Sequence, residues 1–261
     1  MEKVRSADGT EIAFDRVGAG APVVLVGGAS RARTAHTRLA GLLAEEFTVL
    51  NYDRRGRGDS GDTAPYAVER EIEDAGAVIG AAGGPVALFG DSSGALLALR
   101  AAAAGLPVTR LALWEPPFVS GPQAAGMRWE YAARLAGLLG AGRRGEAVAL
   151  LVSTAGLPDE MVETMLRAPM WPELEALAHA LAHDAAVMDG DPVPAALVSS
   201  VKIPVLVLHG GETGPWTAEM ARALTGALPD ARSRVLEGLS HDVDRAVLAP
   251  VLRDFLAGRT G

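Results

Sequence analysis

Five residues, Gly90-Asp91-Ser92-Ser93-Gly94, constrain this chain more than any other stretch. They follow the apolar run Pro85-Val86-Ala87-Leu88-Phe89, which predicts a short buried strand. They precede Ala95 to Ala104, rich in Ala and Leu, which predicts a helix. A serine set between glycines on a sharp strand-to-helix turn adopts a strained backbone, and its small neighbours let other chain segments pass close by. The Ser92 hydroxyl would then stand at the start of a helix. There, free backbone N–H groups and the helix dipole favour the negative charge of an acyl-transfer intermediate. A Ser-Gly turn also joins strands to helices without any chemistry, so a partner for the serine is needed.

A candidate partner lies near the C-terminus. Arg232-Ser233-Arg234-Val235-Leu236 reads as a strand, followed by Glu237-Gly238-Leu239-Ser240-His241 and then a helical stretch from Val243 to Leu256. A histidine in a loop can serve as general base to a serine hydroxyl.

Bulk properties remove several function classes. The net charge of -8, without a long basic run, argues against nucleic acid as partner. With no cysteine in 261 residues, disulfides, thiol catalysis and thiolate metal sites are excluded. The polar start Met1 to Asp8 carries no secretory signal, and no apolar run approaches a membrane span, so a cytoplasmic protein without membrane partner is expected. Lys3 and Lys202 are the only lysines against many arginines, and Ala and Gly abound, a composition of GC-rich bacterial genomes.

Strand and helix patterns alternate along most of the chain. Val4 to Ser6 and Glu11 to Val17 flank the turn signal Asp8-Gly9. Pro22 to Val26, Phe47 to Tyr52, Val108 to Trp114 and Ile203 to Leu208 read as further strands. Thr34 to Glu46, Val68 to Ala82 and Thr217 to Ala227 read as helices. This alternation predicts an α/β fold, a mostly parallel sheet flanked by helices. Between Glu115 and Val201 the strands stop. Helical stretches over Trp129–Leu139, Glu146–Ala155, Asp159–Leu166 and Glu173–Met188 predict a helical cap inserted after the sixth strand. The expected division is a core of residues 1–115 and 201–261 with a cap of residues 116–200. Met127, Met161, Met165, Met170 and Met188 fall in the cap. Most would simply pack it, yet a Met-rich cap also makes an adaptable apolar roof.

With these features together the chain resembles the α/β-hydrolase superfamily over nearly its whole length. Tyr52-Asp53-Arg54-Arg55-Gly56-Arg57-Gly58-Asp59-Ser60 is similar to a turn of esterase-like and haloperoxidase-like members. Trp114-Glu115-Pro116-Pro117-Phe118 and Ser240-His241-Asp242-Val243-Asp244 look like a group of actinobacterial hydrolases. The resemblance implies Ser92 as nucleophile in the elbow, with His241 as base in the chain order of that fold. It also implies an oxyanion hole, an acid and a cap over the elbow.

Two departures follow. Such proteins usually carry His-Gly after the third strand; here Gly27-Gly28-Ala29-Ser30 stands there, with the backbone amides of Ala29 and Ser93 as oxyanion donors. The usual aspartate after the seventh strand is missing from His209-Gly210-Gly211-Glu212-Thr213-Gly214-Pro215, with Thr213 or Gly214 in its place. Glu115, at the end of the sixth strand and directed by Pro116-Pro117, is the preferred acid. Glu212 is the alternative.

Gly28, Trp114, Phe118, Trp129, Met165 and Trp216 are the expected substrate-binding residues. Asp53 is expected to pin its turn, Asp91 to point away from the reacting atom, and Asp242 and Asp244 to cap the last helix. His36, His179, His183 and His209 are read as structural or solvated. No metal and no cofactor is expected, although His179 and His183 lie four apart.

The leading reading is a serine hydrolase of a carboxylic ester, thioester or lactone. Its substrate would be a small acyl compound, apolar or of mixed polarity, and the protein a monomer or homodimer. A cofactor-free cyclase or lyase on the same fold, and a non-catalytic ligand-binding homologue, remain open beside it.

Overall fold

The computed structural model describes residues 1–118, 122–154, 159–188 and 195–259. Its centre is set by strands with no polar face. In β3 (Ala21–Val26), Val23 and Leu25 pack on one side while Val24 and Val26 pack on the other, and all four are buried. Only a sheet covered by helices on both faces accommodates such a strand. Each of these side chains contributes roughly 1.5–3 kcal/mol of burial.

The sheet has eight strands in the order β1-β2-β4-β3-β5-β6-β7-β8. The hairpin of β1 (Glu2–Arg5) and β2 (Glu11–Val17) pairs antiparallel with itself and with β4 (Phe47–Tyr52). From β4 onward, through β3, β5 (Val86–Asp91), β6 (Val108–Trp114), β7 (Val205–Gly210) and β8 (Ala231–Leu236), every pairing is parallel. α1 (Thr37–Leu43) and α11 (Arg245–Leu256) cover one face. α2 (Val68–Ala81), α3 (Ser93–Ala103) and α10 (Pro215–Ala227) cover the other.

The insertion between β6 and β7 is helical. It comprises α4 (Pro122–Gly140), α5 (Arg144–Thr154), α6 (Asp159–Met165), α7 (Trp171–Ala176), α8 (Leu181–Met188) and α9 (Ala195–Ser200). It has its own apolar cluster around Leu135, Val148, Trp171 and Leu181. α8 belongs to two cores, because Leu181 and Ala185 join that cluster while Val187 joins the sheet core. Ala155, the predicted end of one insertion helix, and the side chain of Met127 lie outside the described residues. Among the described residues no helix is long and apolar enough to cross a membrane.

Element ends differ from the sequence reading where side chains intervene. The helix expected over 34–46 opens as a 3-10 turn, Arg33–His36, whose first amide donates to Asp53 Oδ1 at 2.6 Å. α10 starts two residues early at Pro215, whose missing N–H and fixed φ suit a first helical turn. Asp244 caps α11 as expected, accepting from Ala246 N at 2.9 Å. Asp242 does not; it lies 3.7 Å from Arg31.

β3 is where the chain order reverses: β4 lies on one side of it and β5 on the other. Loops leaving adjacent strands in opposite directions open a crevice at their carboxyl ends. The Gly27–Ser30 loop and Ser92 both stand there.

Candidate active site

Three non-glycine residues have positive φ among the described residues: Ser30 (53°), Ser92 (51°) and Glu115 (43°). They follow β3, β5 and β6, three neighbouring parallel strands, at their carboxyl ends. Each such conformation costs about 1–3 kcal/mol, so three along one edge mark a place where the fold forces side chains into set positions.

Ser92 has φ 51° and ψ -125°. Its amide donates to Trp114 O at 2.9 Å, which ties the turn to β6. A Cβ on Gly94 would lie 2.5 Å from Gly27 O, and one on Gly28 would lie 3.1 Å from Ser92 Cβ. The two loops therefore touch closely, which brings Gly27 and Gly28 against the start of α3. The Ser93 amide, in the first turn of α3, is one of the helix's free donors. Ser92 Oγ makes no hydrogen bond to another described residue.

Glu115 and His241 meet. His241 Nδ1 is 2.5 Å from Glu115 Oε2, across 126 residues of sequence. The other carboxylate oxygen accepts from Gly210 N at 2.9 Å and Thr213 Oγ at 2.6 Å. Burial alone would push the Glu115 carboxyl up. The hydrogen bonds from His241, Thr213 and the Gly210 amide outweigh it and hold the carboxyl below its ordinary value. Glu115 is thus an ionised acceptor whose position is fixed on three sides. Glu212 is exposed; its amide donates to Leu239 O, and its carboxylate does not reach the imidazole. Of the two candidate acids, the structure brings Glu115 to His241. Thr213, read only as the residue replacing an acid, is a donor to the carboxylate that meets His241.

Asp91, the residue before Ser92, has a definite task. Its Oδ1 accepts from Gly28 N at 2.8 Å, anchoring the glycine loop. His36 Nε2 at 3.3 Å and Arg31 Nε at 3.4 Å flank the same carboxylate. Burial would raise the Asp91 carboxyl, but these neighbours hold it well below the usual carboxylate range. Asp53 pins its turn, accepting from Arg33 and Asp59 amides and pairing with the Arg33 guanidinium.

The expected substrate-binding residues fall in several places. Met165 packs against the insertion's apolar cluster; Ala29, expected as an oxyanion donor, and Tyr131, not singled out in the sequence, pack there too, so apolar cover begins at the glycine loop. Trp114 is buried in the α1–α11 layer, and its indole donates to His241 O at 3.0 Å; it supports the histidine loop rather than lining a cleft. Phe118 is buried in the sheet core on the other face, again a packing position. Trp129 is 72% exposed, and Trp216 is also exposed beside Gly214.

His183 stacks on Tyr66 with ring centroids 4.0 Å apart, whereas His179 Nδ1 lies 3.1 Å from Ala176 O at the end of α7. Among the described residues no group of three His, Asp or Glu side chains could hold a metal ion. A separate groove of about 750 Å³ lies between α4 and α5, lined by Arg134, Arg143, Glu146, Ser153 and Thr154, and includes none of Ser92, Glu115 or His241.

Sequence reasoning missed Arg54 and Asp184. Both are buried, and Arg54 Nη1 touches Gly27 O at 3.1 Å, Ser93 Oγ at 3.2 Å and Asp184 Oδ1 at 2.7 Å. The available signal was the Arg54-Arg55-Gly56-Arg57 run, more arginine than a solvated turn needs.

Comparison with known proteins agrees with this architecture. The family model described as "Alpha/beta hydrolase family" matches residues 23–251. An alpha/beta hydrolase from Sphaerobacter thermophilus is 50% identical, with 97% of this chain and 99% of that one covered and a TM-score of 0.90. A thermophilic esterase from Thermogutta terrifontis shares 24% identity over 100% of this chain and 99% of that one, with a TM-score of 0.74. An enol-lactonase from Burkholderia xenovorans shares 23% over 98% of this chain and 100% of that one, with a TM-score of 0.73. None of the curated proteins matches the sequence.

Proposed function

Since the chain belongs to the alpha/beta hydrolase family, we propose that it is a serine hydrolase of a carboxylic ester, thioester or lactone. The observation that carries this reading is the Glu115–His241 contact of 2.5 Å on the edge that also carries the strained Ser92. A buried carboxylate on Nδ1 selects the tautomer with its lone pair on Nε2, the nitrogen a serine base requires.

In this mechanism Ser92 Oγ attacks the acyl carbonyl as His241 Nε2 takes its proton. The carbonyl oxygen gains the negative charge and is held by the Ala29 and Ser93 amides. Glu115 stabilises the imidazolium, which then protonates the departing alcohol or thiol. Water repeats the sequence on the acyl-enzyme and releases the acid. The missing histidine of the glycine loop is no obstacle, because backbone amides are the donors and Asp91 anchors that loop. Residues 116–200 form the cap, whose apolar cluster reaches Ala29 and suits a small acyl group of apolar or mixed polarity. The esters and enol-lactones named for the two distant structural neighbours are carbonyl compounds of this class.

The test is labelling with a fluorophosphonate, followed by peptide mapping and an ester panel. One adduct on Ser92, with ester turnover lost in Ser92→Ala and in His241→Ala, is expected. Folded protein that takes no adduct, or takes it at another residue, overturns the reading.

A further inference from the structure

Behind the crevice lies a buried cluster of two guanidinium groups, Arg54 and Arg57, and two carboxylates, Glu71 and Asp184. Glu71 grips Arg54 through both oxygens, at 2.7 and 2.8 Å. Asp184 Oδ1 accepts from Arg54 Nη1 at 2.7 Å, and its Oδ2 lies 2.7 Å from Arg57 Nη2. The charges balance, but burying them is costly, and apolar residues of similar volume generally stabilise a fold as well or better. A cluster that only fastened α8 to the body would have no need to touch the crevice.

This cluster touches it at both sides. Ser93 Oγ donates to Asp184 Oδ1 at 2.7 Å and accepts from Arg54 Nη1 at 3.2 Å. The same Nη1 donates to Gly27 O at 3.1 Å. One guanidinium nitrogen therefore spans the residue that opens α3 and the loop that presents Ala29, with Asp184 fixing it from α8. We propose that Asp184 is a positioning residue for the oxyanion hole, a carboxylate supplied by the helical insertion that sets the spacing of the Ser93 and Ala29 amides through Ser93 Oγ and Arg54. Seating of α8 and assembly of the hole are then one event. The proposal rests on the serine-hydrolase reading, and its consequences differ from those of an insertion that merely covers substrate.

The experiment compares Asp184→Asn, Ser93→Ala and the double variant with wild type, on an ester the wild type turns over. Ser93→Ala keeps the backbone donor and removes only the hydroxyl link. Displacing a donor should cost less than deleting one, so kcat should fall roughly ten-fold in Asp184→Asn and about three- to ten-fold in Ser93→Ala, with KM within about two-fold of wild type. Affinity for a trifluoromethyl ketone, whose hemiketal oxygen occupies the hole, should fall by the same factor as kcat/KM. The double variant should be no slower than Asp184→Asn alone, because the link that Ser93→Ala removes is among those that Asp184→Asn already breaks. Amide hydrogen exchange at residues 27–30 should accelerate in Asp184→Asn.

If KM rises while kcat and ketone affinity hold, Asp184 shapes only the substrate cover and the proposal is wrong. Normal kcat and ketone affinity in Ser93→Ala overturn it even where Asp184→Asn fails to fold. A wild type without ester turnover or Ser92 adduct defeats the hydrolase reading instead. The exchange measurement then decides the clamp alone: faster exchange at residues 27–30 upholds it, and unchanged exchange removes it.

Discussion

Ser92 is held by main chain. Its amide bonds to Trp114 O, and the Gly28 and Gly94 backbones press against the turn with no room for a methyl group. His241, across the same crevice, is held by side chains: Glu115 on its Nδ1 and the Trp114 indole on its carbonyl, with about a third of its own side chain exposed. The serine side is thus a steric construction that fails when volume is added. The histidine side is a chemical one, expected to keep its shape when a proton or a charge is changed and, under the proposed mechanism, to lose turnover. Disruption on one side should show first as lost folding, on the other as lost turnover in a folded protein.

The sharpest way to break this contrast is Glu115→Gln. An amide keeps the volume but no longer selects the imidazole tautomer, so turnover should fall by up to roughly ten-thousand-fold while the thermal midpoint moves little. Glu212→Gln should leave turnover near wild type, and steady-state rates on one ester check both. A folded Glu115→Gln variant at near-normal rate would mean that the exposed side does not work through its acid.

Gly94→Ala tests the other side. The added methyl would sit 2.5 Å from Gly27 O, and backbone cannot swing away as a side chain can. A loss of about 3 kcal/mol or more is expected, at the upper end of overpacking costs, read as a lower urea midpoint. Ser92→Ala, at the same turn, should unfold like wild type.

Thr213→Val removes one of the three donors to Glu115 and should lower kcat about three- to ten-fold, a barrier change of roughly 1 kcal/mol, because two donors remain. Turnover equal to wild type would show that Gly210 and His241 fix the carboxylate unaided.

A further expected effect, on stability rather than turnover, is acid sensitivity of the Arg54–Glu71 pair. Burial would raise the Glu71 carboxyl, but the Arg54 guanidinium brings it from 4.5 down to about 2. A carboxyl depressed in the folded state contributes stability above its unfolded value, and that contribution fades as pH falls through the folded one. Urea midpoints should therefore decline between pH 4.5 and about 2, and less steeply in Glu71→Gln. Asp74, pushed up by burial beside Arg55, acts in the opposite sense and blunts the decline.

What was legible in the sequence was local. The strand-turn-helix at Ser92 could be read because it needs glycines at fixed positions, and apolar runs such as Pro22 to Val26 announce a strand buried on both faces. The acid was legible only as a choice. Glu115 and Glu212 both stand near strand ends, and nothing in their neighbours says which carboxylate turns inward. That was decided by Thr213 Oγ and the Gly210 amide, which make a donor pocket for one of them once β6 and β7 lie side by side.

Least legible were the buried charges. Arg54 and Asp184 are 130 residues apart, and each alone reads as a surface residue. A charged side chain enters a protein interior only if its counter-charges arrive there too, and sequence order does not record that meeting. The sequence by itself therefore determined the sheet, the elbow and the two residues proposed to react. Tertiary packing decided which carboxylate faces His241 and which charges stand behind Ser93, because a donor pocket or a buried ion pair exists only when distant segments are brought together.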